Sequence, residues 1–105
     1  MRQNFYGVVG EIDTLPGCSQ VAVSHSVFIH ENARGHGLGR LANKERRNVA
    51  FNDLGYDMMI CTIDSSNAAQ RSLLQSENWR CLTSFKSRKT GHTVELWSCT
   101  ETSDE

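Results

Sequence analysis

The chain has 105 residues, of which 22% are charged and 38% hydrophobic, and its formal net charge is −1. This size and composition predict one globular domain over residues 1–99 that buries about two-thirds of its unfolded surface, followed by a polar, acidic tail over residues 100–105. The balanced charge provides no broad basic field, so neither nucleic acid nor an anionic membrane is an expected partner.

Targeting signals and cysteine spacing give the expected compartment. The first residues lack the apolar core of a signal peptide, and no run approaches the ~20 apolar residues of a membrane span. The four cysteines, Cys18, Cys61, Cys81 and Cys99, are widely spaced and form no CxxC pair. We therefore expect a cytoplasmic protein with reduced thiols and no bound metal.

The first third of the chain is predicted to form two strands. Residues 4–12 and 20–30 are rich in β-branched and aromatic residues, and Leu15-Pro16-Gly17 between them is typical of a turn. Alternation along the second strand places on its more apolar face Val21, Val23, His25, Val27 and Ile29. His25 is therefore expected to project from the apolar face.

The middle of the chain is predicted to form a helix over residues 38–53, ended by Gly55. Its apolar members are Leu38, Leu41, Ala42, Val49 and Phe51. On this periodicity, Lys44, Arg46 and Arg47 are expected to lie largely in solvent.

The remainder of the chain continues the alternation of strands and helices. Residues 58–63, "MMICTI", form an apolar run of strand length, and Asp64, Ser65 or Ser66 is expected to cap a short helix that ends near residue 76. Strands over residues 80–87 and 93–98 follow. The order β-β-α-β-α-β-β predicts an α/β fold with a mixed sheet.

A glycine-rich segment joins the second strand to the first helix. Gly35, Gly37 and Gly39 alternate there, with Arg34 and Arg40 at either end. Small residues let a ligand approach the backbone, and the N–H groups and dipole at a helix start attract anions. The segment therefore predicts a diphosphate site, although a turn without a ligand is an alternative, and the spacing GxGxG fits neither a P-loop nor the dinucleotide fingerprint GxGxxG.

Two motifs resemble the GNAT family of N-acetyltransferases. Residues 34–39, "RGHGLG", match every fixed position of the family's acetyl-CoA loop, [Q/R]-x-x-G-x-[G/A]. Further on, "NAAQRSLLQSENW" is similar to the family's N-x-x-A-x-x-L-Y-x-x-x-G-F: Asn67 and Leu73 match, Asn78 replaces the glycine and Trp79 the phenylalanine. The resemblance covers about residues 20–98 and implies a mostly antiparallel central sheet with flanking helices, without the family's usual amino-terminal strand and helices.

The resemblance also implies acetyl-CoA as co-substrate and assigns residues to it. The backbone from Gly35 to Arg40 would hold the pyrophosphate, that is, Gly35, His36, Gly37, Leu38, Gly39 and Arg40, with Arg34 beside them. The strand end at Val27, Phe28 and Ile29 would pair with the pantetheine amides, and a backbone N–H near Ile29 would polarise the thioester. Asn67 would contact the pantetheine arm, with the thioester between two splayed parallel strands.

His25 is the first candidate for the general base. Its position four residues before Ile29 resembles that of a catalytic histidine in the arylalkylamine acetyltransferase branch, and histidine side chains ordinarily titrate near pH 6.5. His30 and Glu31 are weaker candidates. The alternatives are a histidine that only packs between strand and helix, with its nitrogens satisfied, and one that is merely exposed.

The general acid is less well defined. The family commonly uses a tyrosine in the second helix, and that position is Leu74 here. Ser76 is the candidate substitute, with Ser72, water or no acid as alternatives, and loss of catalysis is also consistent with leucine at this position.

The sequence thus predicts an acetyl-CoA-dependent N-acetyltransferase that acts on a primary amine of a small molecule or protein. The alternatives are a catalytically silent acyl-CoA-binding or protein-interaction module, and an anion-binding structural domain without CoA. Without the usual amino-terminal helices, the acceptor cleft is expected to be open to a macromolecule or completed by a second subunit in a homodimer.

Overall fold

A computed structural model of the chain describes residues 1–31 and 34–101. Its elements are β1 (Arg2–Phe5), β2 (Val8–Leu15), β3 (Cys18–Ile29), α1 (Leu38–Asn48), β4 (Met58–Asp64), α2 (Ala68–Ser76), β5 (Arg80–Lys86) and β6 (Thr93–Thr100). The six strands form one sheet in the order β1-β2-β3-β4-β6-β5. Within the described residues, no helix is long and apolar enough to cross a membrane.

The predicted fold class is confirmed, with one strand more than expected. The region predicted as a single strand over residues 4–12 is a hairpin of β1 and β2. Its two-residue turn is Tyr6-Gly7, and both residues have positive φ, 57° and 81°. This is the backbone of a tight hairpin turn, which the prediction missed because tyrosine seldom adopts it.

The helix α1 begins at Leu38 as predicted, but its buried face differs from the prediction. Arg46 is 3% exposed and Arg47 6%, whereas Leu41 is 46% exposed. The face packed on the sheet is formed by Ala42, Asn43, Arg46, Arg47 and the following Ala50. Arginines predicted in solvent are therefore buried, because the helix is rotated relative to its apolar stripe. A π-helical turn, Val49–Asp53, completes the helix before Gly55.

The buried face of β3 is also the opposite of the one predicted. Ala22 and Ser24 are 0% and 8% exposed, while Val21, Val23 and His25 on the other face are partly exposed. Alternation separates the two faces of a strand but does not say which one the helices cover. Small side chains at the covered face leave room for α1. The core cluster on this face consists of Ile12, Ala22, Ala50, Phe51, Met59, Cys61, Ile63, Leu74, Trp79, Trp97 and Cys99.

The strands β3 and β4 form the parallel pair of the sheet and separate after three residues. They pair where Val21–Val23 lie beside Met58–Ile60. Beyond that point β3 continues on β2 as far as Ile29, and β4 continues on β6 as far as Asp64. The described parts of the two strands therefore splay apart toward their carboxyl ends.

A β-bulge lies in β3 at the level of the splay. His25 pairs with Glu11 and Phe28 with Val9, so residues 26 and 27 of β3 face the single Gly10 of β2. A bulge shifts the alternation of side chains and interrupts ladder pairing, and bulges are frequent beside active sites. The period-two pattern could not reveal it.

Candidate functional site

A cleft of about 740 Å³ lies between the splayed strands and the two helices; we call it the β3–β4 cleft. Residues 24, 25, 27 and 28 of β3 line one side, and residues 61–64 of β4 line the other. Val27 and Phe28, which were expected to contact a pantetheine arm, are among these lining residues. Ile29 pairs through its backbone with Val8, and its side chain lies outside the described residues.

The glycine segment presents an open helix start beside this cleft. Gly37 is the N-cap of α1 in the left-handed conformation, with φ 71° and ψ 10°, and no side chain among the described residues caps the helix there. Gly35 also has positive φ, 79°. Within the described part of the chain, a Cβ atom at either glycine would meet nothing within 4 Å. A helix start without a side-chain cap leaves N–H groups available to an anion. Asn32 and Ala33, which precede this segment, lie outside the described residues.

The two arginines that flank the glycines are placed differently. Arg34 lines the β3–β4 cleft. The Arg40 Nε atom lies 3.7 Å from a carboxylate oxygen of the buried Glu77, and its side chain lines a separate groove of about 520 Å³. The structure therefore brings the side chain of Arg34 to the cleft, whereas Arg40 contributes its backbone to the helix start.

Three buried side chains at the cleft have donor groups with no hydrogen-bond partner among the described residues. They are Asn43 Nδ2, Trp79 Nε1 and two nitrogens of Arg46, Nε and one terminal nitrogen. All three residues line the cleft. A buried polar group without a partner costs roughly 1–3 kcal/mol, so three in one cleft indicate a ligand that carries acceptor atoms. The sequence prediction missed Asn43 and Arg46 because it placed the wrong face of α1 toward the sheet.

His25 lines the cleft and contacts two carboxylates on β2. Its Nε2 atom lies 2.5 Å from Asp13 Oδ2 and 3.7 Å from Glu11 Oε2. The hydrogen bond with His25, followed by contacts with the amino terminus, lowers the pKa of Asp13. An ionised carboxylate that holds an imidazole is the arrangement of an oriented general base. The three ligand atoms also lie within 4.8 Å of one another, and two of them belong to the hydrogen bond between His25 and Asp13.

His25 lies, as predicted, on the same face of β3 as Val21 and Val23. The helices cover the opposite face, that of Ala22 and Ser24, so the imidazole does not lie between strand and helix. Glu11 and Asp13 were not identified because the register between β2 and β3, which places Glu11 opposite His25, cannot be read from composition.

A second histidine–carboxylate pair lies at the other margin of the cleft. His92 Nδ1 is 2.7 Å from Asp64 Oδ2. The pKa of Asp64 is lowered to about 2, first by hydrogen bonds from the hydroxyl and backbone N–H of Ser66 and then by His92. Asp64 lines the cleft and is therefore an anion at neutral pH.

The end of α2 corrects the prediction for the general acid. Leu74, at the family's tyrosine position, is 1% exposed and lines the cleft. Two residues further along a helix, Ser76 is rotated by roughly 200°. Its hydroxyl donates to the carbonyl of Leu73 at 2.8 Å, and it lines the groove that contains Arg40. The structure does not bring Ser76 to the cleft.

One thiol also lines the cleft. Burial, and to a lesser extent the neighbouring Cys99, raises the pKa of Cys61 to about 12. At neutral pH, Cys61 is therefore a protonated, packed side chain.

Asn67 caps the second helix and lines the cleft. Its Oδ1 atom accepts a hydrogen bond from the backbone N–H of Gln70 at 3.1 Å. Asp64, Ser65 and Ser66 do not supply the cap, because Asp64 instead accepts the N–H and hydroxyl of Ser66 in a local turn. Asn67 thus holds the start of α2 at the edge of the cleft.

Solved structures share this architecture, although no protein-family profile and no curated protein matches the sequence. An acetyltransferase of the GNAT family from Bacillus anthracis has a TM-score of 0.78 at 12% identity, over 93% of this chain and 59% of that one. A ribosomal-protein-alanine N-acetyltransferase from Brucella melitensis has a TM-score of 0.76 at 22% identity, over 89% and 60%. A spermidine/spermine N-acetyltransferase from Vibrio cholerae has a TM-score of 0.77 at 12% identity, over 90% and 58%.

These similarities establish the fold of the chain. It has the GNAT acetyltransferase fold, so the resemblance seen in its motifs is confirmed at the level of architecture. Asn78 has a φ of 64°, the conformation for which the family uses glycine. The chain spans about 60% of the length of the solved chains it matches.

Proposed function

We propose that this protein is an acetyl-CoA-dependent N-acetyltransferase that transfers the acyl group directly to a primary amine. One observation carries the proposal. Within the described residues, a helix start with two positive-φ glycines and no side-chain cap is joined through Arg34 to a cleft between splayed strands, and the walls of that cleft hold buried donors without partners. A diphosphate followed by a long arm with amide carbonyls has the shape and chemistry that these two features require.

Residues can be assigned to each part of the co-substrate. The backbone N–H groups from Gly35 to Arg40, with the charge of Arg34, would hold the pyrophosphate. Asn43 Nδ2 and Trp79 Nε1 would donate to acceptor atoms of the arm, which would satisfy two of the orphaned donors. The backbone at residues 27–29, at and after the bulge, would pair with the amides and polarise the carbonyl. When bound, the co-substrate supplies an acyl group on a good leaving thiol.

His25 would accept the proton of the attacking amine. Asp13 holds the Nε2 side of the ring, and this contact fixes the orientation of the imidazole at the wall of the cleft. None of the described side chains considered above provides a general acid in the cleft, since Leu74 occupies the expected position and Ser76 lies elsewhere. Water would therefore protonate the thiolate.

The first experiment is isothermal titration of the purified protein with acetyl-CoA and with free CoA. Saturable binding of both ligands, absent in Gly37→Glu, is the expected result. Release of CoA thiol is then followed with a panel of amines that includes a diamine, a lysine peptide and a peptide with a free amino terminus. If neither acetyl-CoA nor free CoA binds, the proposal is wrong.

A catalytically silent acyl-CoA-binding module is the second candidate function. Leucine at position 74, fully packed against the core, is the observation that favours it. The two candidates differ in one readout, because a silent module binds acetyl-CoA and releases no thiol with any amine.

The proposed acceptor of the acyl group is a primary amine, of a small molecule or of a protein. Solved neighbours include proteins named for spermidine or spermine and for an alanine of a ribosomal protein, so small and macromolecular amines both suit this fold.

The edge strand β5 is exposed along its length, with Leu82 55% and Phe85 50% exposed. We propose that a second copy covers this edge. Light scattering after size exclusion tests it, and a mass of one chain would overturn it.

A further inference from the structure

Arg46 is a buried cation at the wall of the β3–β4 cleft. It is 3% exposed, and no ion pair to it exists in the described parts of the chain. Its Nε atom and one terminal nitrogen have no hydrogen-bond partner among the residues that the structure describes. Burial without a counter-charge lowers the pKa of the guanidinium, and a cation in this setting costs several kcal/mol unless an anion joins it.

The fold makes room for this guanidinium. A Cβ atom on Gly10 of β2 would lie 2.7 Å from a terminal nitrogen of Arg46 and 3.1 Å from a methyl group of Val27. The absence of a side chain at Gly10, opposite the bulge in β3, therefore gives the guanidinium its place. The arginine is packed into a specific seat at the cleft.

The position of Arg46 along α1 separates it from the diphosphate site. It lies eight residues after Leu38, the first residue of the helix, which corresponds to about 12 Å along the helix axis. The N–H groups that would hold the pyrophosphate are at the start of that axis. Arg46 therefore faces the inner part of the cleft, where the acyl end of the co-substrate would lie.

We propose that Arg46 binds a carboxylate at the acyl end of the cleft, so that the preferred donor is a CoA thioester of a dicarboxylic acid. This inference rests on the proposed function and names its acyl substrate. An arginine fork is suited to a carboxylate, which it can bind through two hydrogen bonds. A neutral acetyl group leaves the guanidinium without a partner.

The transfer step is unchanged by this substrate. The amine nitrogen forms a bond to the thioester carbonyl carbon, and the carbon–sulfur bond breaks. The proton of the amine passes to His25, and the thiolate takes a proton from water. The distal carboxylate takes no part in bond making and serves only to hold the acyl group against Arg46.

The test compares two acyl groups of equal chain length, one with and one without the carboxylate. Calorimetric dissociation constants are measured for succinyl-CoA and butyryl-CoA, with free CoA and acetyl-CoA in parallel. Succinyl-CoA is expected to bind about tenfold more tightly than butyryl-CoA. This is the ratio of dissociation constants that the free energy of one charge-assisted hydrogen bond produces. Equal affinities, or tighter binding of butyryl-CoA, would overturn the inference while leaving the proposed function intact. Failure of all four ligands to bind would overturn both.

Variants then assign the preference to Arg46. Arg46→Met keeps an unbranched apolar stem without the charge and should abolish the preference for succinyl-CoA, with acetyl-CoA affinity retained. Lys44→Met, which removes an exposed cation from the same helix, should preserve the preference. A preference that survives Arg46→Met would exclude Arg46 as its source. If Arg46→Met does not fold, Gly10→Ala gives the same readout, since the added methyl group displaces the guanidinium.

A second arm identifies which substrate carries the carboxylate. With acetyl-CoA saturating, the KM of an amino acid is compared with that of the corresponding amine without the carboxylate. The inference expects no effect of Arg46→Met on this ratio. An Arg46-dependent preference in the acceptor, without one in the acyl series, would contradict the assignment to the acyl group.

Discussion

The two helices begin in equivalent places, each directly after one strand of the parallel pair, yet their starts are built in opposite ways. The start of α2 is closed by the chain itself, because Asn67 accepts the N–H of Gln70. At α1, Gly37 occupies the cap position in a left-handed conformation and provides no side-chain oxygen. Glycine in place of a capping side chain costs only about a few tenths of a kcal/mol. The capped start of α2 thus fixes one wall of the cleft, whereas the start of α1, which has glycine at its cap position, leaves backbone N–H groups available to an anion.

The strongest test of this difference fills the open start. Gly37→Glu places a carboxylate on the proposed pyrophosphate seat and should abolish acetyl-CoA binding in a calorimetric titration. The substitution also strains a positive-φ position, so Gly17→Glu is the matched control: Gly17 has a φ of 80° with open space around it, in the turn between β2 and β3. Equal loss of affinity in both variants would show that strain, and not the site, is responsible.

A second test leaves both helix starts intact and removes the proposed base. His25→Ala should lower kcat about 100-fold at neutral pH with unchanged acetyl-CoA affinity. The defect should shrink at high pH, where the amine loses its proton without help. His92→Ala removes the other histidine–carboxylate pair and should reduce kcat far less. Identical kinetics for His25→Ala and the unmodified protein would remove His25 from the mechanism.

A third test separates capping from ligand contact at the closed start. Asn67→Ala should lower the free energy of unfolding by about 1 kcal/mol, measured by urea denaturation, because the cap is lost. Asn67→Asp retains an oxygen cap, so its stability should match that of the unmodified chain. If the amide of Asn67 contacts the pantetheine arm, Asn67→Asp should still weaken acetyl-CoA binding several-fold. Unchanged affinity would restrict Asn67 to its capping role.

The smallest expected effect is an acid dependence of the segment before α2. The pKa of Asp64 is about 2 in the folded protein, below its ordinary value of 3.8. Its ionised form therefore stabilises the fold above about pH 4, and this contribution is lost as the pH falls toward 2. Asp64→Asn should show a flatter loss of stability between pH 4 and 2, and the exposed Asp53→Asn serves as the control. Superimposable pH profiles for all three proteins would contradict this expectation.

Sequence patterns predicted most elements of the fold, except the β1–β2 hairpin, but not their orientation. Glycine placement indicated the start of α1 at Leu38, and the apolar run "MMICTI" indicated β4. Periodicity failed for α1, since Arg46 carries a charge and yet faces the sheet. Any pattern of polarity assigns a charged residue to solvent, so it cannot reveal a buried arginine.

The site was predictable only where the signal is local. Arg34 and Asn67 lie in short motifs, and both line the cleft. Asp13 and Glu11 meet His25 through strand register, which composition and alternation do not reveal. The rotation of Ser76 away from Leu74, by contrast, follows from helix geometry and could have been read from the sequence.

The buried Cys61 bears on the order of chemical events in the proposed transfer. With a pKa of about 12, about one Cys61 side chain in 100,000 is a thiolate at pH 7, so this thiol would not act as a nucleophile toward the acyl group. Direct transfer, as proposed, requires both substrates to be bound together before any product leaves. Initial-rate plots should consequently intersect, whereas a double-displacement enzyme gives parallel lines. Alkylating reagents directed at the cleft should likewise leave the rate unaffected.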